Sequence, residues 1–143
     1  MKGLRVIIMK KAGIINSDIS KVLADLGHMD QICIADAGLP VPNEVKKIDL
    51  ALERGLPSFM DVLRIVLADM WVQKVILAEE IKTNNPDILE KILEMVPSEI
   101  IEWTNHTHFK EMTKHSKAVI RTGEMTPYAN IILESNVHFE LGE

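Results

Sequence analysis

The chain has a single cysteine, Cys33, so no internal disulfide can form, which excludes a stapled scaffold and fits a reducing compartment. Cys33 lies in the apolar run Ile32-Cys33-Ile34, the setting of a buried core thiol. Aromatic residues are only 4% of the 143, so the core has to be aliphatic. No apolar run approaches the roughly 20 residues of a membrane span. The opening Met1–Ile8 starts with a basic residue, but its apolar part is too short for a signal peptide. Positive charge is not in excess either: 16 Lys and Arg against 21 Asp and Glu leave a formal charge of -5, with the basic residues scattered. That disfavours nucleic-acid binding through phosphate neutralisation. Also missing are a Gly-x-Gly-x-x-Gly turn, a phosphate loop ending in Gly-Lys-Ser/Thr, and a Gly-x-Ser-x-Gly nucleophile elbow. What remains is cofactor-free proton transfer, or plain binding.

The residues present build one domain, 1–143, long enough to bury about two-thirds of the surface of its unfolded form. Asn16 or Ser17 caps a predicted helix with Ile19, Val22, Leu23 and Leu26 on one face and Gly27 as its stop. A buried strand over Gln31–Ala35 follows, then a shaped loop through Gly38, Pro40 and Pro42. Strands are expected at 47–51, 72–78, 100–103, 117–121 and 130–133. Helices are expected after Ser58, from Pro86, and over 107–115. This alternation predicts an α/β fold, a layered α/β/α arrangement around a mixed, largely parallel sheet.

Several residues could carry chemistry. His28 follows the first helix, and an imidazole is a side chain suited to proton transfer, so it is a candidate acid/base group; the alternative is a helix-end histidine bonding the last carbonyls. Asp36 emerges where the buried strand ends, the edge at which α/β proteins gather ligands; otherwise it stabilises the Ala37-Gly38 turn. Read together, His28 and Asp36 form a candidate acid/base site. His106-Thr107-His108 invites a metal, yet no Cys or third His stands nearby in sequence, and no metal or other cofactor is assigned. One of the pair, His106 by preference, could point into a cleft while His108 lies on a helix surface. Tyr128 and Asn130, two apart, would face the same side in an extended segment and suit a polyhydroxylated ligand; turn chemistry with a partly buried tyrosine is the other reading. Glu79 and Glu80 could also be site groups; a solvated strand-end or helix-start role is the favoured reading.

The joint occurrence of Leu26-Gly27-His28-x-Asp30, Ala35-Asp36-Ala37-Gly38-Leu39-Pro40-Val41-Pro42, Ile48-Asp49-Leu50-Ala51, Gly55-Leu56-Pro57-Ser58-Phe59 and Ala118-Val119-Ile120-Arg121-Thr122-Gly123-Glu124-x-x-Pro127-Tyr128-Ala129-Asn130 resembles the D-ribose pyranase family, whose broader plan the L-fucose mutarotases share. The resemblance covers about residues 9–139, leaving 1–8 and 140–143 as extensions without an assigned function. It implies a cytoplasmic, cofactor-free isomerase that interconverts the pyranose and furanose forms of D-ribose. It further implies His28 as proton donor, and Asp36, His106, Tyr128, Ala129 and Asn130 as sugar-binding residues. The implied partner is a second copy of the chain: a homo-oligomer, commonly a decamer of two pentameric rings, with sites between subunits. A mutarotase of another sugar such as L-fucose, or a non-catalytic ribose-binding regulatory subunit, stands as the alternative. Nucleic-acid and membrane partners are not expected.

Overall fold

Helices begin where the sequence supplies caps. In the computed structural model, which describes residues 10–138, the Asn16 side chain accepts the Ile19 N–H at the start of α1 (Ser17–Asp25). Ser58 accepts the Asp61 N–H at α2 (Phe59–Leu67), and Asn105 the His108 N–H at α5 (His106–Met112). Pro86 stands in the first turn of α4 (Pro86–Met95), where its missing N–H would have no helical partner. The single turn α3 (Ile81–Asn84) is too short to show apolar periodicity and was not expected. The helix expected over 107–115 is α5 followed by a tighter 3-10 turn, Thr113–His115.

Six strands, β1 (Gln31–Ala35), β2 (Lys46–Asp49), β3 (Val72–Ala78), β4 (Ile101–Thr104), β5 (Ser116–Arg121) and β6 (Ile131–Ser135), form one sheet in the order β2-β5-β1-β6-β3-β4. β6 runs antiparallel to β1 and β3, and every other pairing is parallel. A parallel return needs a crossover of a dozen or more residues, usually helical. The segment 122–130 between β5 and β6 holds no helix, so β6 comes back reversed. The expected mixed, largely parallel sheet is therefore present, with the reversed strand near its middle.

Strand alternation separates two cores. Ile32 and Ile34 of β1 face the layer of α1 to α4, with Phe59, Leu63 and Ile92. Cys33 and Ala35 face the other side, where Phe109 of α5 and Leu39 of the Pro-rich loop cover them. Cys33 is fully buried, and burial together with the nearby Asp36 charge pushes its thiol well above the ordinary range. The carboxyl ends of the five parallel strands and the amino end of β6 share one edge of the sheet, while the residues around His28 stand at the other.

Gly123 clasps the first of these edges. Its N–H donates to the Pro57 carbonyl at 2.8 Å, and its own carbonyl accepts from Gly55 N–H. A Cβ there would stand 2.5 Å from the Leu56 oxygen, 2.6 Å from the Leu56 nitrogen and 2.7 Å from the Glu53 oxygen, all backbone atoms. Gly123→Ala should therefore destabilise the protein by about 1–3 kcal/mol through overpacking. Urea denaturation checks this, and an unchanged midpoint would contradict it.

Candidate functional site

At the carboxyl edge, the turn after β1 places Asp36 against β6. Asp36 N–H donates to Asn130 Oδ1 at 2.8 Å, and Asn130 Nδ2 donates back to Asp36 Oδ2 at 3.2 Å. The other carboxylate oxygen accepts the Gly38 N–H at 3.0 Å. This reciprocal pair satisfies Asn130, which is only 2% exposed, and aims the Asp36 carboxylate. Desolvation pushes the Asp36 carboxyl above its ordinary value, although hydrogen bonds from Gly38, Asn130 and Leu39 and the nearby His106 oppose the shift.

His106 opens α5 beside it. Its backbone N–H donates to both oxygens of Glu80, at 2.9 and 3.1 Å, so a carboxylate caps the helix and fixes where the imidazole starts. The ring meets the edge of Tyr128 at 5.0 Å between centroids and stacks toward Phe109 at 6.5 Å. Its buried Nδ1 has no hydrogen-bond partner among the described residues. Asp36, His106 and Tyr128 line one open cavity of about 380 Å³, together with Lys110, Pro40 and Pro127. His108 is exposed on the helix.

Tyr128 and Asn130 do not lie in an extended segment. Tyr128 has φ 58°, in the left-handed region where a bulky residue needs support. Support comes from Asn85, buried at the start of α4, whose Nδ2 donates to Thr126 Oγ1 at 2.9 Å and to the Pro127 carbonyl at 2.8 Å. Glu124 also ties the loop down by accepting from Phe59 N–H and Thr126 Oγ1. Thus Tyr128 turns toward the cavity while Asn130 turns toward Asp36. Ala129 between them is fully buried and packs in the α1 to α4 core.

His28 stands elsewhere. It precedes β1 while Asp36 follows it, and five residues of strand span about 17 Å. Within one chain His28 and Asp36 therefore cannot act as an acid/base pair, and that first reading is corrected. At its own edge the exposed His28 ring bonds Gln73 Oε1 through Nε2 at 2.9 Å. Sequence reasoning set Glu80 aside as solvated and passed over Asn85, Glu124, Lys110 and Gln73. Only the two-residue approach of Glu79-Glu80 to a strand end was a visible signal.

A carboxylate, an imidazole, a phenol and a carboxamide gathered at the carboxyl edge of an α/β sheet define a protein suited to binding small polyhydroxylated molecules. The chain belongs to the RbsD / FucU transport protein family, whose model matches residues 9–138. A D-ribose pyranase of Streptococcus agalactiae is 58% identical over 130 residues, spanning 90% of this chain and 98% of the relative. The structure of Bacillus subtilis RbsD complexed with D-ribose superposes with a TM-score of 0.89 at 53% identity, covering 92% of this chain and all of that one. A fucose mutarotase of Streptococcus pneumoniae in complex with L-fucose is more distant, with a TM-score of 0.72 at 26% identity over 87% of this chain and 95% of that one.

The raised Asp36 carboxyl has a consequence for stability. Below the ordinary carboxylate value, folded and unfolded chains both hold the proton. As pH rises the unfolded chain releases it first, so the contribution of Asp36 to stability declines until its own raised value is passed. Asp36→Asn does not titrate, so its stability relative to the wild-type protein should increase from acid to neutral pH. Urea midpoints of both proteins across that range measure it; a flat or falling difference would contradict the assignment.

Proposed function

We propose that this protein is a D-ribose pyranase, an isomerase that interconverts the pyranose and furanose rings of D-ribose without a cofactor. Relatives at 56–58% identity carry that activity as their name, and the ribose-bound Bacillus subtilis structure is far closer than the fucose mutarotase. A fucose-specific or non-catalytic role is therefore not favoured. The observation that carries the reading is the convergence of Asp36, His106 and Tyr128 on one cavity, braced by Asn130.

The chemistry needs proton transfers and little else. Opening removes the proton from the anomeric hydroxyl, breaks the bond from C1 to the ring oxygen O5, and returns a proton to O5, leaving the aldehyde. Closure by O4 on C1 gives the furanose: the O4 proton leaves and the carbonyl oxygen gains one. O1 and the ring oxygen are both bonded to C1, so one imidazole beside C1 can take the first proton and deliver the second. His28 has that role, which contributes on the order of 10²–10⁴-fold. Asp36, as acceptor, and His106, Tyr128 and the backbone at Ala129 hold the hydroxyls, while Asn130 braces Asp36.

Because His28 and the cavity stand at opposite edges of the sheet, a complete site needs His28 from a neighbouring subunit. Exposed apolar side chains support such a contact at both edges: Met29 and Trp71 near His28, and Leu52, Leu56 and Met125 near Gly123. Different edges of one chain meeting one another is a head-to-tail interface, the kind that closes into rings. The homodecamer of two pentamers and a cytoplasmic place of work follow from the resemblance. Among the described residues, no helix is long and apolar enough to cross a membrane.

His28→Ala should lower the exchange rate between pyranose and furanose signals by about 100-fold or more while ribose still binds. Saturation-transfer NMR on ribose reads the rate, and calorimetry reads the binding. Wild-type exchange that is no faster than the uncatalysed reaction would contradict the function; full activity in the variant would contradict the role of His28.

A further inference from the structure

A carboxylate lies buried in β6, close to the middle of the sheet, where an apolar side chain would be the simpler choice. Glu134 is only 6% exposed, and a buried charge is expensive unless every lone pair is used. Its Oε1 accepts from Gln31 Nε2 at 2.9 Å, and its Oε2 accepts from Gln73 Nε2 at 2.7 Å, with Lys74 Nζ 3.6 Å from Oε1. Although burial alone would raise it, the hydrogen bonds from Gln73 and Gln31 and the charge of Lys74 hold this carboxyl below its ordinary value. Glu134 is thus ionised at neutral pH and can only accept.

Gln73 is the second unusual feature. Val72 pairs with Ser135 and Lys74 with Glu134, so β3 carries one residue, Gln73, with no partner on β6. Such bulges re-aim a side chain. Here the re-aimed amide bridges Glu134 to His28, 45 residues away in sequence. The turn bearing His28 is pinned to the same place: Met29 N–H donates to the Ser135 carbonyl at 3.0 Å and Ser135 N–H to the Asp30 carbonyl at 2.8 Å.

These contacts have a direction. An acceptor-only Glu134 turns the Gln73 nitrogen toward itself, which leaves the Gln73 oxygen facing His28. An oxygen acceptor there requires a proton on His28 Nε2. We propose that Glu134 and Gln73 are positioning residues for His28, holding its Nε2 proton so that Nδ1 is the atom that exchanges protons with the sugar. The proposal rests on the reading of His28 as the catalytic acid/base group. In the neutral ring Nδ1 carries a free lone pair; after it takes the anomeric proton, Nε2–H still donates to Gln73, so one hydrogen bond serves both halves of the cycle. Among the described residues, charged groups at this edge include Asp30, Lys74, Lys117 and Glu102, paired as Lys117 with Asp30 at 4.0 Å and Lys74 with Glu102 at 3.4 Å, and His138 stacks on Trp71.

The test uses the assembled protein with 15N-labelled histidine, His28→Ala serving to assign the His28 signals. Long-range proton–nitrogen spectra should show neutral His28 protonated at Nε2 alone. Gln73→Leu should give a mixture of tautomers and lower kcat about 10- to 100-fold, the scale of a mispositioned catalytic group. KM for ribose should stay within about twofold, since sugar holding lies at the other edge. The exchange Gln73→Glu with Glu134→Gln keeps the net charge and an acceptor oxygen at position 73 for His28 Nε2–H, with position 134 now donating to position 73, and should recover most of that loss. Gln73→Leu with wild-type kcat and an unchanged Nε2–H signal would overturn the proposal, as would a folded double variant no faster than Gln73→Leu. If His28→Ala itself keeps full kcat, the catalytic reading of His28 fails and the proposed role of Nδ1 fails with it. A tautomer mixture in Gln73→Leu would in that case separate a real relay from a mistaken catalytic assignment.

Discussion

β1 is the element on which the rest depends. Its residues Ile32 to Ala35 are fully buried, with one core on each face and hydrogen-bonded neighbours on both sides, so it holds its ends rigidly apart. His28 is tied to one end and Asp36 to the other. A sheet of this kind presents the Asp36 cavity at one edge and the His28 imidazole at the other, and it cannot bring them together within one chain. If His28 and the Asp36 cavity form one site, as proposed above, catalysis is a property of an assembly, and exposed apolar residues stand at both edges to build it.

The polar groups that work at these edges are held against the preference of the fold. Asp36 is pushed up by desolvation, Tyr128 adopts a left-handed backbone, and Glu134 is buried next to Leu133. Each persists because its neighbours leave it no alternative: Asn130 and Gly38 for Asp36, Asn85 and Glu124 for the loop before Tyr128, Gln31 and Gln73 for Glu134. The aliphatic cores around them, dense in Ile, Leu and Val, supply the stability that offsets these groups.

Much of this was legible in the chain. Helix caps at Asn16 and Ser58, Pro86 in a first turn, and the apolar run before Asp36 are local signals, and the structure uses each of them. The mixed sheet was also foreseeable from the alternation of elements, although the reversal of β6 near its middle depends on the lack of a helix over 122–130. What escaped was nonlocal. Glu80 reads as solvated until β3 and α5 are seen to meet, and the bonding of Asn85 to the Pro127 carbonyl spans 42 positions. Gln73 falls inside the expected strand 72–78 and Glu134 just beyond the expected strand 130–133, and nothing local sets either apart, because a bulge leaves no mark in the sequence. Tyr128 and Asn130 share a side only if extended, and the left-handed turn at Tyr128 sends them to different tasks.

The central claim is that each working site combines His28 of one subunit with the Asp36 cavity of another. Mixing His28→Ala and Asp36→Asn chains tests it most directly: each variant alone, then both unfolded and refolded together in equal amounts, with ribose ring exchange followed by NMR. With random assembly into rings, about one site in four regains both wild-type halves, so the mixture should recover about a quarter of the wild-type rate. A mixture no more active than the separate variants, assembled to the same size as the wild-type protein, would contradict the account.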